Sequence, residues 1–403
     1  MAGKYQRYDL VVVGGGIAGC ALGRAMAQSG AEVLILEKEH RYRDRIRGEA
    51  IMPWGSLEAK TLGLYDILLS SCGLDVPYET FVVAGEFTPP RHYPSSTPGK
   101  TGILSFFHPE MQDVMAQAAS DAGAEIWRGA SVRAISPGEQ GTIEVKSHGV
   151  VSTVSARLIV GADGRDSTVA TQFGFKREKA LQGLFTVGFQ LYCDLPLEPA
   201  LYFFLHGESG RGIILFEIKP GNYRAYLSHH KDALERRLSG ERDYQVALRH
   251  FGEIGMPAAW LEQITPHGIL ASFDGAFNQI AHPSLGNCVL IGDAASTTDP
   301  VWGNGLSRTL RDVRLLRDRL LNDSDWVLAA GAYAQDHDDY YRRLREAERL
   351  SNTIFFTMGP EAEARRHRIF ALMEQEPDTN LDLAGLGPES RYSDELAAHL
   401  LRL

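Results

Sequence analysis

The chain opens with a hydrophobic run, Tyr8-Asp-Leu-Val-Val-Val13, that stops at three glycines, Gly14–Gly16. Small and apolar residues then recur from Ile17 to Ser29, Gly30 ends the stretch, and Glu32–Glu37 turns apolar again. Short apolar runs on either side of a helical stretch predict a parallel βαβ unit whose sheet is covered on both faces. The pattern continues with a helix over 110–122 and a strand over 124–127. A meander of short strands at 130–136, 141–147 and 150–155 then leads to an apolar strand, Leu158–Val160.

From Leu181 to Tyr226 the pattern changes. Phe185-Thr-Val-Gly-Phe-Gln-Leu-Tyr, Leu201-Tyr-Phe-Phe-Leu, Ile213-Ile-Leu-Phe-Glu-Ile and Tyr223-Arg-Ala-Tyr-Leu are aromatic and β-branched runs between Gly, Pro and Asn turns. They predict an antiparallel sheet. Pro89–Gly102 predicts a long loop beside it. A buried strand returns at 287–291, and long helices follow at about 304–321 and 326–357. The stretch 360–403 is interrupted by Gly and Pro and ends in an amphipathic helix over 391–402. No internal repeat is present.

Composition narrows the partners. The 403 residues allow about two domains, and 44% hydrophobic with 23% charged is ordinary globular usage. A net charge of −10, from 41 basic and 51 acidic residues, would repel nucleic acid and anionic membrane. Cys20, Cys72, Cys193 and Cys288 show no CxxC spacing and read as small buried residues in a reducing compartment. Leu10–Val13 is too short for a membrane span or a signal-peptide core. The expectation is a cytoplasmic protein without a targeting segment.

Gly14-x-Gly16-x-x-Gly19 follows a strand and opens a helix, and Glu37 closes the next strand, so the glycines carry the dinucleotide-binding pattern. Gly14 permits the sharp turn, Gly16 lets backbone approach a pyrophosphate, and Gly19 lets helix and sheet pack closely. The helix N-terminus, where Ile17 and Ala18 lie, offers N–H groups and partial positive charge to an anion. Glu37, followed by Lys38, would accept hydrogen bonds from ribose hydroxyls and repel a 2′-phosphate. Which dinucleotide binds is not set by the glycines alone.

Two later segments repeat the strand-then-turn theme: Gly161-Ala-Asp163-Gly164-Arg165-Asp-Ser167, and Gly292-Asp293-Ala-Ala running on to Pro300-Val-Trp-Gly303-Asn304-Gly305-Leu306. With the N-terminal glycines, these segments resemble the group A flavoprotein monooxygenases, the para-hydroxybenzoate hydroxylase-like superfamily, over about residues 5–325. The resemblance implies FAD as cofactor and NADH or NADPH as transient reductant. It gives Asp293 the ribityl chain and places Pro300 near the flavin ring. Backbone N–H groups of Gly303, Asn304, Gly305 and Leu306 would face the ring's N1–C2=O edge, where a helix N-terminus stabilises the charge of reduced flavin. Asp163 and Gly164 match a segment that contacts flavin and is implicated in NADPH use, and Arg165 stands where it could meet phosphate charge. Arg47 matches an arginine close to the ring; the alternative is an ion pair with Glu49 or Asp44. Val132 matches the position that reads the adenine. Arg47 and Pro300 are the residues placed nearest the chemistry.

The chain also departs from the family. His108 stands where an arginine is usual, which weakens the case for its pyrophosphate contact, and Ser296 stands where many members have histidine. Gly48-Glu-Ala-Ile-Met-Pro is similar to flavin-dependent halogenases, but no Trp-x-Trp-x-Ile-Pro segment occurs. No second GxGxxG follows a strand, so nicotinamide would visit the flavin cleft, or a partner flavin reductase would reduce the flavin.

The implied fold is α/β. A discontinuous Rossmann-type FAD-binding domain (1–78, 101–175 and 281–350) carries an inserted, mainly antiparallel β-sheet substrate domain (79–100 and 176–280) and a helical C-terminal cover (351–403). The implied activity is hydroxylation or epoxidation of a small organic molecule through a flavin C4a-hydroperoxide. A halogenase, a flavin reductase or dehydrogenase, and a non-catalytic flavin-binding accessory protein are the alternatives. Phe185, Phe203, Phe204, Phe216 and Tyr226 are candidates for the roof of a water-excluding pocket, and strand alternation allows only one face to serve. Such a pocket favours an apolar or aromatic substrate. Arg308, Arg311, Arg314 and Arg317, interleaved with Asp312 and Asp318, predict a solvated ion-paired helix face, with Arg308 placed to meet an acidic substrate. Asp336-His-Asp-Asp-Tyr-Tyr-Arg-Arg predicts a charged helix surface. His229-His230 has no third ligand at metal spacing. Oligomeric state stays open.

Overall fold

The structure is a computed structural model, and it describes residues 6–83, 85–179, 183–193, 197–230 and 236–403. Leu181, the start of the expected aromatic stretch, lies outside them.

One sheet is centred on Gln6–Val13, which runs parallel to Val33–Glu37 on one side and to Val150–Gly161 on the other. Glu125–Arg128 extends it in parallel, as does Cys288–Leu290 beside Val150–Gly161. Alternation explains the double covering. Leu10, Val12, Val33 and Ile35 pack with residues of helices Ile17–Gln28, His108–Asp121 and Asn304–Asn322. Val11, Val13, Leu34 and Leu36 pack with Ala130, Ile143 and Val145 of the antiparallel meander.

The expected strands at 150–155 and 158–160 are one strand, Val150–Gly161. Its first half pairs antiparallel with Gly141–Ser147 and its second half parallel with Gln6–Val13. Ala156-Arg157 carries no turn residue, so the pleat passes straight through.

A second sheet takes the order Ile264–Asp274, Phe185–Cys193, Asn222–His229, Arg211–Lys219, Ala200–His206, Tyr78–Val83. The pairs are antiparallel except Ala200–His206 with Tyr78–Val83, which is parallel. Phe204, Ile213, Leu215 and Ala225 face the core shared with Ala247 and Phe251 of helix Tyr244–Ile254. Phe203, Ile214, Phe216 and Tyr226 face the opposite way, toward the first sheet's loops. The predicted loop 89–102 contains a short strand, Arg91–His92, and a helical turn, Tyr93–Ser96. Helices Pro53–Thr61 and Tyr65–Ser71, and a small sheet of Ala50–Ile51, Ile103–Phe106 and Gly73–Val76, were not predicted.

The two long helices are Asn304–Asn322 and Trp326–Phe356. The last helix is Asp394–Arg402, three residues shorter at its start than expected because Ser393 caps it. No described helix is long and apolar enough to cross a membrane.

Candidate functional site

A cavity of about 860 Å³ runs from the glycine turn to the aromatic face of the second sheet. That is within the usual range for a ligand pocket, about 300–1,000 Å³. At one end lie Gly14, Gly16, Ile17 and Ala18, with Glu37 and Lys38 beside them. Gly14 has φ +108, and a Cβ there would lie 2.3 Å from the Ala162 carbonyl oxygen, so no other residue fits the turn. Gly19 is set back from the cavity; a Cβ on it would lie 1.9 Å from the Gly14 carbonyl oxygen, the close packing expected of the third glycine. Gly16, by contrast, faces open space, with only Gln112 Nε2 as near as 3.9 Å from an added Cβ. A cradle closed from behind and open in front fits a phosphate-bearing ligand. The Glu37 carboxylate accepts from the N–H groups of Gly15 and Glu39, both at 2.8 Å. A carboxylate's two oxygens offer about four acceptor sites, so it retains capacity toward the cavity it lines. Val132 lines the wall with Ala130 and Ser131, where the pairing register slips between Val132 and Ala134.

In the middle stand Asp163, Gly164, Arg165 and Asp293. Burial pushes the Asp163 carboxyl up, and its oxygens accept from Ser167 Oγ at 2.5 Å and from the Thr168 N–H at 2.6 Å. It thereby supports the first turn of helix Thr168–Phe173, whose N-cap is Ser167. Arg165 donates to the Asp274 carbonyl at 2.8 Å. Asp293 Oδ1 is held by Arg308 Nη2 at 3.0 Å.

Arg308 corrects an expectation. It is fully buried, and its Nη1 donates to Asp312 Oδ2 at 3.0 Å and to Ser296 Oγ at 3.3 Å. It organises the turn at Asp293 from behind and meets no substrate. The rest of the arginine stripe is the expected ion-paired face, partly buried rather than fully solvated: Arg314 and Arg317 pair with Asp318, and Arg311 and Arg314 also grip the buried Glu58. Along 336–343 the charged residues do form a helix surface, with Asp339, Arg342 and Arg343 exposed and Asp336 and Asp338 paired to Arg319 and His282, while His337, Tyr340 and Tyr341 are buried; the His337 Nε2 and Ser296 Oγ are 3.1 Å apart.

Next along the cavity stand Arg47, His108, Pro300, Gly303, Gly305 and Leu306. Asn304 is fully buried and its side chain turns away, accepting from Trp54 Nε1 at 3.0 Å and donating to Glu348 Oε1 at 2.9 Å. Beneath the same turn, Asp299 is held by Asn352, and burial pushes Asp299 up to about 6 and Glu348 up to about 8. His108 Nδ1 donates to the Gly48 carbonyl at 2.7 Å, and desolvation lowers its pKa to about 4. It is a neutral imidazole, without the charge of the usual arginine.

Arg47 is exposed and makes no ion pair with Glu49 or Asp44. Those carboxylates belong to Arg224, which sequence reasoning missed. Its Nη2 donates to Asp44 Oδ2 at 3.0 Å and to Glu49 Oε1 at 3.1 Å, and its Nε pairs with Glu49 Oε2. Tyr226 OH donates to the Arg47 carbonyl at 2.5 Å. A charged residue on the inward face of the Asn222–His229 run was the available signal, because such a group requires buried partners.

Further along, the cavity is lined by Phe81, Phe203, Phe216, Tyr226, Trp302 and Phe355, with residues 380–384 also in its wall. Of the predicted roof residues, Phe203, Phe216 and Tyr226 line it. Phe204 faces the opposite core, and Phe185 stacks on His229 instead.

A model of the FAD binding domain family matches residues 7–345. The chain belongs to that family. Ubiquinone hydroxylase UbiL of Rhodospirillum rubrum is 29% identical over 366 residues, covering 85% of this chain and 78% of its own. Menaquinone reductase of Mycolicibacterium smegmatis is 25% identical over 374 residues, covering 86% and 84%. The structure of p-nitrophenol 4-monooxygenase PnpA from Pseudomonas putida DLL-E4 has the same fold, with a TM-score of 0.79 over 93% of this chain and 95% of its own, at 20% identity. The chain is thus a flavoprotein, an FAD-dependent oxidoreductase by its family.

Proposed function

We propose that the flavoprotein uses NADH or NADPH and dioxygen to hydroxylate or epoxidise a largely apolar or aromatic small molecule. One observation carries this reading: the cradle at Gly14–Ala18 and the aromatic chamber at Phe81, Phe203 and Phe216 are parts of a single cavity. Gly14, Gly16, Ile17, Ala18, Glu37, Lys38 and Val132 would hold the adenosine and pyrophosphate portion of FAD. Asp163, Gly164, His108 and Asp293 would hold the middle, and Arg47, Pro300, Gly303, Gly305 and Leu306 the ring, with Asn304 and Gly19 acting as supports behind. Bound flavin, once reduced, supplies activation of dioxygen at C4a. The chain supplies enclosure and orientation. Its aromatic side chains keep water from the reacting centre. The N-terminus of helix Asn304–Asn322 and the Arg47 guanidinium supply positive potential where negative charge gathers.

A second reading, flavin-dependent reduction without oxygen transfer, draws support from the likeness to menaquinone reductase. Isotope labelling separates the two. FAD-loaded enzyme given NADH or NADPH, an apolar aromatic substrate and ¹⁸O₂ is expected to place one labelled oxygen atom in the product. A reduced, unlabelled product would support the reductase, and a halide-dependent halogenated product would support the halogenase.

A further inference from the structure

The apolar chamber contains a carboxyl group, that of Glu79, for which no described side chain forms a direct ion pair. Along Tyr78–Val83, Glu79 and Phe81 share the chamber side, and Glu79 is registered opposite Leu201 in one neighbouring strand and Arg91 in the other. Arg91 is its cross-strand cation, but the guanidinium is committed elsewhere. Nη1 and Nη2 donate to the two Asp382 oxygens at 2.6 and 2.8 Å, and Nε donates to Ser96 Oγ at 3.0 Å. The Tyr93 hydroxyl approaches Glu79 as a hydrogen-bond donor that partly offsets its burial, and Asp382 is the remaining polar group close to it. Asp382 is the residue that brings the C-terminal segment over the chamber, and it is held in the left-handed region at φ +54 while its carboxylate caps helix Leu383–Leu386.

Burial is the main influence on Glu79 and pushes its pKa up to about 7. A carboxyl among Phe81, Leu201 and Leu381 is unfavourable in isolation and gains most from a ligand that brings a donor. Arg91 already places one positive charge beside it, so a neutral donor fits better than a second cation.

We propose that Glu79 is the substrate-recognition residue of the chamber, accepting a hydrogen bond from a hydroxyl group at one end of an otherwise apolar, aromatic substrate. The proposal rests on the monooxygenase reading of the same cavity, and the Arg91–Asp382 pair serves it by occupying guanidinium N–H groups that could otherwise bond Glu79.

The test compares two ligands that differ in one hydroxyl. FAD-loaded enzyme is titrated with 2-naphthol and with naphthalene, and binding is read from the change in flavin absorbance without turnover. Wild-type enzyme is expected to bind 2-naphthol roughly tenfold more tightly, the effect of one good hydrogen bond to a carboxylate. Glu79→Leu should bring the ratio to about one while naphthalene affinity is kept. Glu79→Gln, which preserves shape and a neutral acceptor, should fall between them. An equal ratio in wild type and both variants, or wild-type enzyme that binds neither ligand, overturns the proposal. An enzyme that transfers labelled oxygen but lacks a Glu79-dependent ratio loses only this proposal. One that shows the ratio but transfers oxygen to no substrate loses only the monooxygenase reading.

Discussion

Arg224 and Glu49, 175 residues apart in sequence, form a fully enclosed ion pair that ties the second sheet to the loop carrying Arg47. Arg224→Met leaves Glu49 and Asp44 without their cation. Removing one partner of a buried pair loses about 3–5 kcal/mol, and urea unfolding should show a loss of that size. The double variant Arg224→Met/Glu49→Gln should recover part of it, and additive losses would refute the pairing.

A substitution at Gly16 is expected to separate folding from cofactor binding. Its backbone φ of −77 suits alanine, and a methyl there meets only the end of Gln112. Gly16→Ala should therefore keep stability within about 1 kcal/mol. FAD affinity should fall at least about tenfold, because the methyl occupies the space a pyrophosphate needs. Equal FAD affinity, measured by equilibrium dialysis against flavin fluorescence, would remove the pyrophosphate from this turn.

Asp293→Ala tests the middle of the cleft. Arg308 keeps Asp312 as a partner, so the fold should persist while FAD affinity drops by about an order of magnitude, the size of one lost charge-assisted hydrogen bond. The ratio of flavin to protein absorbance after gel filtration gives the answer, and an unchanged ratio would strip Asp293 of its role.

Glu348 makes stability depend on pH. Its folded-state pKa is raised to about 8 by burial, so the folded chain holds the proton more tightly than the unfolded one. The stability this provides is complete below the unfolded value of about 4.3 and is lost as pH rises through 8. Asp299, pushed to about 6, adds to the loss at lower pH. Between about pH 6 and 8 wild type should lose up to ~1.4 kcal/mol per pH unit that Glu348→Gln does not lose. Parallel melting curves across that window would show that Glu348 is not the titrating group.

The glycine turn, its helix and the flanking strands were legible because each is a local pattern: an apolar run, a turn that only glycine fits, and a helical repeat. The Asp163 and Asp293 turns were legible for the same reason. What could not be read were partnerships across long stretches of chain. Arg308 looks like the start of a surface stripe until Asp293, Ser296 and Asp312 are found around it. Arg47 and Glu49 are two residues apart, which suggests an ion pair, yet Glu49 is claimed by Arg224 from another sheet. Phe203 and Phe204 are indistinguishable by composition, and only the pairing register decides which meets the chamber. Glu79 was missed because one acidic residue in Tyr-Glu-Thr-Phe-Val-Val carries no motif.

The unbroken void from Gly16 to Leu383 has a thermodynamic consequence. The prosthetic group and the organic ligand would share a boundary, each completing the other's enclosure. Filling either half buries surface that the other half then finds ready-made, so the two affinities are reciprocally linked. Ligand should tighten flavin binding, and loss of flavin should weaken ligand by the same factor.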